Sequence, residues 1–124
     1  MTVLVDSWAW IEYFKGTSSG KKATGYIEGE EKIIVSTINI AEVRLFLLRH
    51  KPAEAEKLTG FLLNTSFPVP ISTEIATQAA KTKHEKKLGL ADAIVMVTAM
   101  MHNAKIITGD DDFKGEESVI YIGD

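Results

Sequence analysis

The chain has no cysteine among its 124 residues. That excludes a disulfide framework and any thiolate metal site, and makes a reducing compartment the natural reading. It also lacks an apolar run long enough to cross a bilayer, and it begins with a strand-like stretch rather than a basic segment followed by a long apolar one. A soluble, cytoplasmic protein with no membrane partner is the expectation. There is no basic excess: the formal net charge is -3, which argues against broad attraction to a polyanion unless several acids are gathered around a cation. Proline is scarce, with three in all, so each one is informative about where an element starts or stops.

The remainder is that of an ordinary globular chain. Apolar residues make up 45% and charged residues 25%, which excludes a disordered or fibrous protein. A single domain spanning residues 1–124 is expected, long enough to bury about two-thirds of the surface its unfolded chain exposes.

Val3-Leu4-Val5 reads as a buried strand that runs directly into Asp6 and Ser7. Ser7 to Lys15 follows as a short helix, Gly16 to Gly20 as a loop, and Lys21 to Glu31 as a weaker helix interrupted by Gly25 and Gly29. Ile33-Ile34-Val35 is a second buried strand. From Ile38 to His50, Ile38, Ala41, Leu45 and Leu48 recur at helical spacing, with Glu42 on the same stripe, so an acid is expected on the core-facing side. Another helix runs from Pro52 to Asn64. Phe67 to Ile71 has strand character, but Pro68 and Pro70 remove amide donors and confine it to a sheet edge. Thr73 to Lys87 is a helix capped by Ser72, Leu88 to Leu90 a hinge-like connection, and Ala91 to His102 the most apolar helix, with Met100 and Met101 expected in the core. Lys105 to Ile107 and Val119 to Ile122 complete the strands, separated by an acidic turn from Thr108 to Phe113.

Strands alternating with helices, most of them continuous apolar runs, describe an α/β fold with a parallel sheet covered on both faces. With the first strand central and the proline-bearing third at an edge, the expected strand order is 3-2-1-4-5. Ligands bind such sheets at the carboxyl edge where the winding reverses, here between strands one and four. Asp6 and Asp110 would flank that crevice, Glu42 would stand next door, and Asp92, opening the apolar helix, needs short connections to reach it. Carboxylates crowded there cannot all stay ionised unless a cation neutralises them. Oxygen donors without Cys or a nearby His suit Mg²⁺ or Mn²⁺, and the chemistry this implies is metal-assisted phosphoryl transfer or phosphodiester hydrolysis.

Asp6 after a terminal apolar strand, Ser36-Thr37 leading to Glu42-Val43, Leu90-Ala91-Asp92-Ala93, and Thr108-Gly109-Asp110 with Asp112-Phe113 together resemble a PIN domain, more specifically the ribonuclease toxin of VapBC toxin–antitoxin pairs. The resemblance spans nearly the whole chain and implies a three-layer α/β/α fold. It implies an endoribonuclease dependent on Mg²⁺ or Mn²⁺, the ion bound by Asp6, Glu42, Asp92 and Asp110 with Ser7 and Thr108 as supporting hydroxyls. Asp112 is a further candidate ligand, and which of Asp110 and Asp112 stands nearer the ion is open. A homodimer, an RNA substrate and a small VapB-like antitoxin reaching into the acidic crevice follow from the same resemblance.

Taken singly, each feature has a plainer reading. Asp6 could be a helix cap, Glu42 the partner of a cation, Asp92 a helix-dipole partner, and Asp110 to Asp112 a solvated turn. Lys81, Lys83, Lys86 and Lys87 could contact RNA phosphates, although a solvated helix face is simpler. Trp8, Trp10, Tyr13 and Phe14 could stack bases, although packing is simpler. Among other functions, a receiver-type phosphoacceptor module needs its Asp at the end of the third strand, where Pro70-Ile71-Ser72 stands, and a dehalogenase-like phosphatase needs an Asp where Trp8 is. A non-catalytic PIN-like RNA-binding protein is the remaining alternative.

Overall fold

In the computed structural model, which describes all residues 1–124, the chain crosses one sheet five times, with helices between crossings. The strands are β1 (Thr2–Val5), β2 (Lys32–Ser36), β3 (Phe67–Val69), β4 (Lys105–Thr108) and β5 (Val119–Tyr121). The helices are α1 (Ser7–Lys15), α2 (Ser18–Ile27), α3 (Thr37–His50), α4 (Ala55–Thr65), α5 (Thr73–Glu85) and α6 (Leu90–Met101). All neighbouring strands pair in parallel and the order is β3-β2-β1-β4-β5. The expected topology is borne out, with β1 central and the proline-bearing β3 at a border.

Side chains alternate across each strand, and the two faces carry separate cores. Val3, Val5, Ile33, Val35 and Ile107 pack with Trp10, Ala23, Val43, Leu47 and Leu62 from α1 to α4. On the other face, Leu4, Ile34 and Ile106 meet Leu88 and Phe113 together with Val95, Met96 and Ala99 of α6. Helix α5 reaches the core through α6, where Ile75 and Ala79 pack on Ala93 and Val97. The result is three layers, α/β/α.

Local differences from the sequence expectation have identifiable causes. The Gly16 to Gly20 loop is shorter than expected because Thr17 caps α2, its side chain accepting the Gly20 N–H. A Cβ on Gly20 would come within 2.1 Å of the Glu12 carbonyl oxygen, so this glycine serves the close approach of α2 to α1 rather than a turn. Helix α2 then ends at Ile27, before the charged Glu28 to Glu31 segment. The connection through Leu88 is anchored rather than hinge-like, with Leu88 buried and its carbonyl accepting from Lys83 Nζ at 3.0 Å. Met100 and Met101 are not core: they emerge at the end of α6, 66% and 46% exposed.

Helix α3 is rotated from the expectation. Asn39, Val43 and Leu47 face inward, whereas Leu45 and Leu48 are 46% and 49% exposed and Glu42 is exposed with them. An apolar stripe and an inward stripe coexist at helical period, and burial selected the one containing Asn39. Replacing buried Leu47 by Ala is expected to cost about 2–5 kcal/mol of stability. The exposed leucine of α4, Leu63, should cost under about 1 kcal/mol when changed to Ala. Urea denaturation of the two variants measures the difference.

Candidate active site

β1 ends one residue before α1 begins, and that residue is Asp6. Its extended backbone (φ -80°, ψ 175°) makes it the N-cap of α1, with Oδ1 accepting the Ala9 N–H at 3.0 Å. Asp6 is only 4% exposed. The capping role and the crevice position are therefore the same geometry, not alternatives. Burial pushes its carboxyl up to about 7; hydrogen bonds from the Thr108 hydroxyl and the Ala9 amide oppose the rise, and the charges of Asp110 and Asp92 add to it.

Thr108 ties the neighbouring strand end to this carboxylate. It is wholly buried at the end of β4, and its Oγ1 also accepts the Asp110 N–H at 3.0 Å. Asp110 in turn caps the 3-10 turn Asp111–Phe113, its Oδ1 accepting the Asp112 N–H at 2.9 Å. One acidic turn thus presents both Asp110 and Asp112. Asp111 points elsewhere, accepting from the Tyr121 hydroxyl at 2.5 Å.

The expectation that Glu42 would turn toward the core is corrected: it stands exposed on α3, beside the crevice. Its Oε1 accepts from Ser7 Oγ at 2.9 Å and from Asn39 Nδ2 at 3.3 Å. Ser7 follows Asp6 directly, so α1 itself joins Glu42 to the β1 acid. Asn39 was missed by sequence reasoning, although its place one helical turn before Glu42 was a usable signal. Asp92, the hardest residue to place from topology, is brought in by the first turn of α6. One ligand oxygen each from Asp92, Asp110 and Asp112 can lie within 4.8 Å of the others. Burial raises Asp92 to about 6, and the charges of Asp110, Asp112 and Glu42 contribute. The mutual influence of these groups makes Asp6, Glu42, Asp92, Asp110 and Asp112 one electrostatic unit.

No basic residue offsets it. Every ion pair in the structure lies elsewhere: the N-terminus with Glu31, Lys15 with Glu12, Lys22 with Asp124, Arg44 with Glu56, and Lys86 with Glu116. Of the basic residues singled out on α5 and just beyond it, Lys83 is held by Leu88 and Lys86 by Glu116, while Lys81 and Lys87 form no ion pair. The donor set fits a hard divalent cation: carboxylate and hydroxyl oxygens, no sulfur, no imidazole, and a charge surplus that protein groups leave unneutralised.

A family profile describing the PIN domain matches residues 3–115. The chain belongs to the PIN domain family. Its fold is shared with a toxin–antitoxin complex from Klebsiella pneumoniae, at 30% identity and a TM-score of 0.82, over 97% of both chains. VapC20 of Mycobacterium tuberculosis, described as a sarcin-ricin loop cleaving toxin, matches at 14% identity and TM-score 0.76, over 93% of this chain and 95% of that one. The VapBC2 complex of Rickettsia felis, bound to a promoter DNA fragment, matches at 16% identity and TM-score 0.75, over 98% and 97%. Among curated protein sequences, none gives a significant match. The fold is that of VapC-like PIN domains, and no helix is long and apolar enough to cross a membrane.

The raised Asp6 value fixes the sign of a pH effect. Its folded-state pKa lies above the unfolded 3.8, so the protonated form stabilises the fold below about pH 4, and that contribution is lost as pH rises through about 7. Asn caps a helix as well as Asp does. In EDTA, Asp6→Asn should therefore be at least as stable as the parent at pH 8, with its advantage fading toward pH 4. Thermal unfolding across this range checks it. An Asp6→Asn protein melting well below the parent at pH 8 would contradict a strained, buried carboxylate.

Proposed function

We propose that the chain is one PIN domain acting in the cytoplasm as a VapC-like toxin, a divalent-metal-dependent endoribonuclease. The observation that carries this reading is the convergence of five carboxylates from β1, α3, α6 and the turn after β4 with no basic partner among them. Such a surplus suits Mg²⁺ or Mn²⁺, which would complete its shell with water and substrate phosphate.

Asp6, Glu42, Asp92 and Asp110 would hold the ion, with Asp112 as a further donor. When bound, the ion supplies a nucleophilic water near neutral pH and neutralises charge developing on phosphate oxygens. The chain's own groups prepare for it. Ser7 and Asn39 engage Glu42 through Oε1 alone, leaving Oε2 without a protein hydrogen-bond partner. The Thr108 hydroxyl and the Ala9 amide favour the ionised form of Asp6. Asp6 and Asp92 hold protons more tightly than ordinary carboxylates, so occupancy of the site is coupled to proton release and strengthens as pH rises through 6 to 7.

The partners proposed are an RNA substrate, a second copy of the chain and a small VapB-like antitoxin. For RNA, Lys81 and Lys87 are the lysines of this stretch held by neither an ion pair nor a side-chain hydrogen bond, and they are assigned to phosphate contact. For the second copy, the half-exposed Leu45 and Leu48 give α3 an apolar surface. For the antitoxin, the fitting chemistry is a cationic side chain placed among the five acids, which neutralises them without supplying a metal.

Cleavage of mixed cellular RNA is expected with Mn²⁺ or Mg²⁺ and not with EDTA. Disturbing a residue behind a metal ligand typically costs about 10–100-fold, so Asp6→Asn and Asp92→Asn should lose at least about 100-fold. Equal cleavage under all of these conditions, or none in any, would sink the metal-nuclease assignment. The dimer is tested separately: Leu45→Glu combined with Leu48→Glu should convert a dimer into a monomer by light scattering, and an unchanged mass would move the interface off α3.

A further inference from the structure

The turn after β4 carries three consecutive aspartates, and two of them, Asp110 and Asp112, join Asp92. Side chains in a 3-10 turn lie about 120° apart, so Asp111 and Asp112 cannot point the same way. Which of them meets the crevice depends on how the turn is rotated. Its inner side is firmly seated: Phe113 is wholly buried, and a Cβ on Gly109 would lie 2.3 Å from the Trp8 ring. Apart from the capping Asp110, the only side chain hydrogen-bonded to Asp111–Phe113 is that of Tyr121.

Tyr121 ends β5, directly opposite Thr108 of β4. The next residue fastens the pair, the Ile122 N–H donating to the Thr108 carbonyl at 2.8 Å. From this strand end the Tyr121 hydroxyl donates to Asp111 Oδ1 at 2.5 Å. Two neighbours fix the ring. Lys114 Nζ stands 5.1 Å from its centroid, and a Cβ on Gly123 would fall 2.4 Å from the hydroxyl oxygen and 2.5 Å from Cζ. Glycine is required at 123 because the ring folds back over the backbone there.

We propose that Tyr121 is a positioning residue for the acidic crevice: by holding Asp111 away from it, the hydroxyl fixes the rotation of the turn and so the direction of Asp110 and Asp112. The proposal rests on the metal-nuclease reading of that site and adds a residue whose contact is with Asp111 rather than with any proposed ligand. One oxygen each from Asp92, Asp110 and Asp112 lies within 4.8 Å of the others, a spacing that like charges oppose. A turn free to rotate would relieve that repulsion by splaying. Groups that orient metal ligands from behind change affinity by about 10–100-fold. Tyr121 acts one step further back, through the backbone of the turn, so the lower end of that range is expected.

The test compares the full chain with Tyr121→Phe, which keeps the ring against Gly123 and Lys114 and removes only the hydroxyl. In EDTA both should melt at nearly the same temperature, while the amides of Asp112, Phe113 and Lys114 should exchange with solvent faster in the variant. On titration with Mn²⁺, followed by the paramagnetic resonance of the free ion, the variant should bind about 10-fold more weakly. With Asp111→Ala in place, Tyr121→Phe should add no further loss, since the two side chains act as one unit. Unchanged exchange, unchanged Mn²⁺ affinity or fully additive losses would each overturn the positioning role while the metal reading stands. A parent chain that binds no Mn²⁺ would overturn the metal reading, and the exchange comparison in EDTA would still decide whether Tyr121 sets the turn.

Discussion

Asp6 is taken out of water at the end of the central strand with no cation to meet it. Hydrogen bonds from the Ala9 amide and the Thr108 hydroxyl favour its charge but do not outweigh burial. A buried carboxylate held in this way is costly to the fold and survives because the surrounding elements over-determine it. β1 cannot move, having β2 on one side and β4 on the other, and α1 starts on the acid itself. The position of each remaining crevice group follows from that junction. Glu42 is reached through Ser7, and Asp110 through Thr108.

The surrounding acids are supported one by one rather than by each other. Asp110 is occupied as the cap of a 3-10 turn, Glu42 is fastened through a single oxygen, and Asp92 uses the first turn of α6. Because these supports lie on different elements, the repulsion among the acids is not relieved by small shifts of any one side chain. Such repulsion is a cost to the fold that a cation would relieve. Stability and function pull in opposite directions here, as is usual where like charges are assembled deliberately.

The sheet order, the three layers and the gathering of acids from distant parts of the chain were legible in the sequence because they depend on coarse signals. Apolar runs mark parallel strands, Pro68 marks an edge, and an acid ending a central strand marks the switch point. The face of α3 was not legible. Ile38, Ala41, Leu45 and Leu48 form as regular a stripe as Val43 and Leu47 do, and periodicity cannot say which meets the sheet. The fate of Met100 and Met101 was misjudged for a related reason: apolar character does not reveal where a helix overruns the layer it packs on. Asn39 and the close approach of the Trp8 ring to the Gly109 backbone were hidden for a third reason. Each depends on a neighbour's exact direction, which only the assembled backbone specifies.

The borders of the sheet carry a consequence for how the molecule can be held. β3 is three residues long with Pro68 at its middle, and β5 is also three residues long. Neither rim offers an extended ladder of free amides and carbonyls, so a partner cannot join by lengthening the sheet. Recognition is left to the helical coat and the mouth of the crevice, where side chains rather than backbone decide what fits. A molecule bounded in this way is guarded against indiscriminate strand pairing, and its choice of companion can change through a few surface substitutions without disturbing the strands beneath.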